Sequence, residues 1–131
     1  MPGFRLRGKL RINPAQLALD SIGGKWKMPI LWRLKDGPLR FNALQRKLSR
    51  SLPAGAITDR ALATQLRQLE AHGLIIRTER AVVPPHVDYA ITERGRAALP
   101  CIQALQAFGS SLKAWEGAIE VPASSPSPDR A

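Results

Sequence analysis

The side chains best suited to chemistry in this sequence are polar and basic groups that occur together between residues 58 and 72. Arginine can bond guanine through two donors, glutamine can pair with adenine, and threonine offers a hydroxyl or a methyl group. In the same segment Leu62, Leu66 and Leu69 recur at helical spacing, which predicts a helix with a buried face and a polar face. The residues expected to contact the major groove of DNA are Thr58, Arg60, Ala61, Thr64, Gln65 and Gln68.

The net charge of the chain indicates a polyanionic partner. The 131 residues include 20 Lys and Arg against 10 Asp and Glu, which gives +10 and a pI near 11.1. Residues 1–80 hold sixteen basic and five acidic side chains, a net +11, whereas residues 81–131 hold four and five, a net −1. We therefore expect the main DNA-binding elements within the first eighty residues, and a second contact at the tip of the hairpin. The further contacts predicted there are Lys25, Arg40, Arg80 and His86.

Four helices are predicted to precede a change of hydrophobic period. Helix boundaries are indicated by Gly23, by Asp36 to Pro38 and by Gly73, and Asn42 and Thr58 have the side chains of N-caps. Gln45 is expected to complete a capping box with Asn42. In the second helix Trp26, Ile30, Leu31 and Leu34 form the expected core stripe. The four helices are predicted over residues 13–22, 25–35, 42–49 and 58–72, with a short extended piece at 39–41.

After Gly73 the period of the apolar residues falls from about 3.6 to about 2, which predicts strands. Residues 74–80 and 87–92 form the two strands of a hairpin whose tip contains Pro84 and Pro85. Thr92 then caps a long apolar helix with a bend near Pro100 or Gly109. A helix-turn-helix followed by a hairpin is the order of a winged helix. We therefore predict a mainly α fold with a small β-hairpin (α+β), in which helix 58–72 enters the major groove and wing 80–87 contacts the backbone or minor groove.

Several strings of residues, in this order and spacing, resemble the HxlR-type winged helix-turn-helix transcriptional regulators, of the MarR-like superfamily. They are residues 22–26 (Ile-Gly-Gly-Lys-Trp), 36–42, 65–75, 83–89 and 92–95. The resemblance implies a cytoplasmic, dimeric DNA-binding repressor or activator, with a pseudo-palindromic operator; a small-molecule effector is left open. It also implies a dimer interface built from the first and last helices. The residues expected in it are Leu17, Ile102, Leu105, Phe108, Leu112 and Trp115.

The sequence departs from the family at one position. Many members have a cysteine before a proline ahead of the first helix, and several use it to sense oxidants or electrophiles; here the pair is Asn13-Pro14. The single cysteine, Cys101, is expected to be a buried small apolar residue, with redox sensing as the alternative. The connection 49–57 is longer than usual, which leaves the start of the recognition helix open.

Other classes of function are less consistent with the sequence. No apolar run is long enough to cross a membrane, and no secretory signal follows the basic N-terminus. We find no phosphate-binding loop, paired carboxylates or Ser-His-Asp set, so neither an enzyme nor a cofactor is expected, and His72, His86 and Cys101 are not expected to bind a metal. The alternatives to DNA binding are a winged helix that binds protein and one that binds RNA. The alternative to a dimer interface is that the apolar residues of the last helix pack only into the core of their own chain. The predicted domain covers 13–118, between a basic flexible arm (1–12) and a disordered tail (119–131).

Overall fold

The computed structural model describes residues 13–51 and 56–119. The predicted arm and all but the first residue of the predicted tail lie outside the described residues. The chain divides into two compact units, one up to Leu99 and one from Pro100. The elements are α1 (Pro14–Ile22), α2 (Lys27–Leu34), β1 (Leu39–Arg40), α3 (Phe41–Ser51), α4 (Asp59–Ala71), β2 (Ile75–Arg80), β3 (His86–Ile91), α5 (Glu93–Arg96) and α6 (Leu99–Ile119).

The first unit combines its helices with a three-stranded antiparallel sheet of order β1-β3-β2. In the hairpin Ile75 lies opposite Ile91, and Leu39 of β1 lies opposite Tyr89. Helix α2 packs against α3 and α4, and α4 packs against β2. The core of this unit contains the apolar stripes predicted from helical spacing. Its fully buried members include Ile30, Leu31, Leu34, Leu44, Leu48, Leu62, Leu66 and Leu69.

The limits of α4 are set by local signals that the sequence predicts. The hydroxyl of Thr58 accepts a hydrogen bond from the Ala61 amide at 3.0 Å, which satisfies a free donor of the first turn. At the other end Gly73 has φ +75°, the Gly73 amide donates to Glu70 O at 2.9 Å, and Leu74 donates to Leu69 O at 3.0 Å. This is a Schellman motif, and it favours glycine because of the positive φ. The structure therefore places the start of α4 at Asp59.

Two predictions about helix beginnings are wrong. Helix α2 begins at Lys27 rather than Lys25, and Trp26 is its N-cap residue and only half-buried, because Gly23 and Gly24 prolong the turn. Helix α3 begins at Phe41, so Asn42 lies inside its first turn and is not the N-cap. Gln45 makes no capping box; its amide donates to the carbonyl of Ile57 instead, and this bond ties α3 to the segment before α4.

The helix expected after Thr92 is interrupted. Thr92 does cap it, since its hydroxyl accepts from the Gly95 amide at 3.0 Å. Helix α5 then ends at Arg96, and α6 begins at Leu99, close to the bend predicted near Pro100. Proline is tolerated there because the second position of a helix needs no amide donor.

In the second unit, α6 exposes part of its apolar stripe. Leu105, Phe108 and Leu112 are exposed, and Phe108 retains 59% of its full accessibility. Cys101 is exposed as well. The expectation that Cys101 is buried in the chain is therefore wrong, because it lies beside Ile102 on the helix, about 100° away from the buried side. Within the described residues, no helix is both long and apolar enough to span a membrane.

Candidate nucleic-acid interface

The outer face of α4 is the first part of the candidate interface. Arg60 lies in its first turn and is exposed, on the side opposite the buried leucines. Ala61 beside it is half-buried and has only a methyl side chain. Thr58 is exposed, but its hydroxyl oxygen already accepts from the Ala61 amide. Its hydroxyl proton and methyl group are the parts left for a base edge.

A second arginine accompanies Arg60 on α4. Arg67 is exposed, and its Nη2 donates to the Thr64 hydroxyl at 3.3 Å. Sequence reasoning did not include Arg67 among the DNA contacts, although it lies on the predicted polar face. The signal that would have identified it is its spacing from Thr64, since side chains three residues apart are neighbours on a helix.

The two glutamines on α4 are held by a lysine that the sequence analysis did not select. Lys27, the first residue of α2, is only 9% exposed. Its Nζ donates to Gln65 Oε1 at 2.8 Å and to Gln68 Oε1 at 2.6 Å. A buried ammonium needs such acceptors, since removing it from water without them is costly. No short-range pattern pairs these residues, which are 38 and 41 positions apart.

The base of the wing holds the second group of predicted contacts. Arg40 lies opposite Asp88, and Arg80 lies opposite His86, all on one face of the sheet. Arg40 Nη2 is 3.0 Å from His86 Nδ1, and His86 Nε2 is 3.4 Å from Asp88 Oδ1. Arg80 Nε donates to Asp88 Oδ2 at 2.9 Å. The structure thus brings Arg40, Arg80 and His86 together around one carboxylate.

The electrostatics of this wing-base cluster (Arg40, Arg80, His86 and Asp88) follow from its hydrogen bonds. The bond from Arg80 holds the pKa of the Asp88 carboxyl below its ordinary value, and the nearby charges of His86, Arg80 and Arg40 act in the same direction. Arg40 has only donors, so its contact with His86 Nδ1 is a hydrogen bond when the ring is neutral and its proton lies on Nε2, whereas the charge of His86 acts on Asp88 when the ring is protonated. Asp88 therefore offsets part of the positive charge that the sequence places at the wing.

The other predicted residues lie before α2, on α1 and on α6. Lys25 is exposed, with its Nζ 5.2 Å from the centroid of the Trp26 ring. Leu17 on α1 is half-buried, and its neighbour Leu19 is 58% exposed. In α6, Ile102 is buried, whereas Leu105, Phe108 and Leu112 are exposed. The side chain of Trp115 lies outside the described part of the structure. Among the described residues, no group of three or more His, Cys, Asp or Glu could hold a metal ion.

Helix α4 is capped, has an exposed arginine in its first turn and is followed by a hairpin. This arrangement is typical of winged-helix DNA-binding domains. Residues 21–116 match the family model described as HxlR-like helix-turn-helix. The chain belongs to the HxlR-like family. Membership confirms the predicted family, the winged-helix fold and the expectation that the chain is not an enzyme. It is a transcriptional regulator with a helix-turn-helix domain.

Relatives of this HxlR-like chain come from archaea and bacteria. An uncharacterized HTH-type transcriptional regulator of Methanothermobacter thermautotrophicus is 43% identical over 94 residues, which are 72% of this chain and 67% of the relative. An HTH-type regulator of Halalkalibacterium halodurans, BH0655, is 41% identical over 98 residues, 74% of this chain and 81% of its own.

Solved structures share the fold. The putative HTH-type transcriptional regulator ytcD superposes with a TM-score of 0.67 at 37% identity, covering 76% of this chain and 96% of its own. The redox regulator HypR in its oxidized form superposes with a TM-score of 0.66 at 39% identity, covering 76% of this chain and 96% of its own.

Proposed function

We propose that this chain is a sequence-specific regulator that binds double-stranded DNA as a homodimer in the cytoplasm and acts as a repressor. The observation that carries the proposal is the exposed Arg60 in the first turn of α4, on the face opposite Leu62 and Leu66, in a chain of a helix-turn-helix family. The N-terminal part of a recognition helix is the part that meets base edges.

In this proposal the two groups of side chains have different tasks. Arg60, Ala61 and Thr64 contact base edges in the major groove, with Thr58 beside them. The basic members of the wing-base cluster and Lys25 contact phosphates, which fix the position of the protein on the duplex. Binding is expected to weaken steeply with salt, since each neutralised phosphate contributes about −0.9 to the slope of log K against log salt.

The dimer supplies the second recognition helix. Leu105, Phe108 and Leu112 are exposed in the single chain, and large apolar groups exposed together favour an interface. A two-fold dimer presents two copies of α4 to half-sites about 34 Å apart, or one DNA turn. The expected operator is therefore a pseudo-palindrome.

The decisive experiment compares the parent with Arg60→Ala. Selection from a random duplex pool gives the operator, and fluorescence anisotropy gives the affinity. We expect Arg60→Ala to lose about 1–3 kcal/mol of specific binding and to accept other bases at the position that Arg60 reads. Lys113→Ala removes one positive charge from α6 and serves as the control, with affinity close to that of the parent.

The outcome distinguishes this function from its alternatives. An Arg60→Ala variant that selects the same DNA with the same affinity would show that α4 reads DNA in another register. A parent that binds structured RNA in preference to duplex DNA would favour an RNA-binding winged helix. A parent without affinity for either would favour a protein-interaction module.

A further inference from the structure

The contact between Lys27 and the two glutamines has a consequence for what α4 can recognise. The Lys27 ammonium lies between Gln65 Oε1 and Gln68 Oε1, at 2.8 and 2.6 Å. An ammonium has three donors and no acceptor, so only the oxygen of each amide can face it. A flipped amide would place its NH₂ group against the ammonium and lose the bond. The orientation of both side chains is therefore fixed by the chemistry of Lys27.

Fixing the amides in this way limits the hydrogen bonds they can offer outward. Glutamine pairs with adenine by donating to N7 while its oxygen accepts from the N6 amino group. In Gln65 and Gln68 one of the two lone pairs of that oxygen already accepts from Lys27, so the oxygen is turned toward α2, and the NH₂ group of each amide offers donors only. Guanine presents two acceptors, N7 and O6, in the major groove, and phosphate oxygens are acceptors only.

We propose, on the basis of the DNA-binding function above, that Lys27 is a specificity-determining positioning residue. It holds the amide oxygens of Gln65 and Gln68 toward α2, so that this flank of α4 presents mainly donors and favours guanine or phosphate acceptors over adenine. The adenine pairing expected from the glutamines in the sequence is thereby disfavoured, because it needs the amide oxygen and the NH₂ group to face the same base edge. Lys27 is only 9% exposed and acts through the amides, without a contact of its own with DNA.

Lys27→Met tests the proposal because it removes the ammonium and keeps a long, apolar side chain. Parent and variant each select duplexes from a random pool, and base frequencies are compared position by position. We expect Lys27→Met to accept an A·T pair at a position where the parent selects G·C, since the freed amide oxygens can then accept from adenine N6. If the donors contact phosphate instead, base frequencies stay the same and affinity falls by about two- to tenfold, the value of one lost hydrogen bond. A folded Lys27→Met with parental base frequencies and affinity overturns the proposal.

A second variant keeps the test decisive if Lys27→Met does not fold. Gln68→Met alters an exposed side chain and removes its donor. We expect it to relax selection at a G·C position or to weaken binding to all sequences equally. Relaxed selection at an A·T position, or unchanged binding, contradicts the proposal. Gln103→Met, a like change on the exposed surface of α6, is the control and leaves both readouts unchanged.

The parent protein separates failure of this inference from failure of the proposed function. A parent that selects no DNA from the pool contradicts the DNA-binding function itself. A parent that selects an operator, with variants that behave like it, contradicts only the role of Lys27.

Discussion

Single residues determine how the end of α4 meets the start of α5. The Thr92 hydroxyl donates to Gly73 O at 2.6 Å and accepts from the Gly95 amide at 3.0 Å. The Thr92 amide donates to Leu74 O at 3.0 Å. Gly95 is buried at this junction, where a Cβ would overlap the Leu74 carbonyl and lie 2.7 Å from Ile91 Cγ1. The backbones approach so closely that only glycine fits at position 95.

We predict that Gly95→Ala destabilises the protein by about 2–3 kcal/mol, since an added methyl group in a packed site forces the backbone to shift. The measurement is urea unfolding followed by circular dichroism. Gly109→Ala is the matched control, because nothing lies within 4 Å of the Cβ it would add. There we expect a gain of about 0.5 kcal/mol from the higher helix propensity of alanine. Equal unfolding midpoints for Gly95→Ala and the parent would contradict the close approach.

At the scale of elements, the wing is held by charge pairing between strands. Asp88 on β3 pairs with Arg80 on β2 and lies opposite Arg40 on β1. The Asp88 carboxylate thus joins β2 to β3, and the contact of Arg40 with His86 joins β1 to the same cluster. The same carboxylate lowers the positive charge that the wing offers to DNA.

The lowered pKa of Asp88 predicts how the stability of the wing depends on pH. A carboxyl whose pKa is lowered in the folded state stabilises the protein above its unfolded pKa, near 3.9, and this contribution is lost as pH falls through the folded pKa. We expect Asp88→Asn to melt at a lower temperature than the parent at pH 7, and the difference to shrink progressively below about pH 4. Thermal melts across this range measure it.

Asp36→Asn provides the control for this pH dependence. The Asp36 carboxylate pairs with Lys35 but is 84% exposed, and exposed pairs contribute little. The melting temperature of Asp36→Asn should stay close to that of the parent at pH 7 and at pH 3. A gap between Asp88→Asn and the parent that is as wide at pH 3 as at pH 7 would contradict the role given to Asp88.

At the scale of the whole molecule, the excess of positive charge and the exposed apolar stripe of α6 lie in different parts of the chain. The excess of basic side chains lies in residues 1–80, and the exposed apolar stripe of Leu105, Phe108 and Leu112 lies in α6. In the proposed dimer, the first unit contacts DNA and the second unit contacts the other copy of the chain.

We predict that Phe108→Glu converts the dimer to monomers, because it would bury a charge against apolar groups of the second copy. Sedimentation velocity measures the change. Operator affinity should fall by about a hundredfold or more, since each recognition helix then binds without the avidity of its pair. Val83→Glu, at a residue 98% exposed in the wing, is the control for oligomeric state. A parent that sediments as a monomer would contradict the dimer.

The parts of the fold that the sequence predicts correctly depend on signals between near neighbours. Thr58 and Thr92 cap helices by bonding amides three residues ahead, and Gly73 ends α4 because it can adopt a positive φ. The leucines of α4 reveal its buried face through helical spacing. The prediction for Asn42 failed because cap-type residues also occur inside a first turn, where only the backbone path decides.

The sequence by itself therefore determined the order of the elements, the face of α4 that is buried, the family and the half of the chain that holds the positive charge. These depend on the residue types and on spacings of a few positions. Only the tertiary structure decided that Lys27 holds Gln65 and Gln68, that Asp88 joins the basic groups of the wing, and that Cys101 is exposed. The reason is physical: such contacts join residues far apart in the chain, and the packing of α2 on α4 and of three strands in one sheet sets which side chains meet.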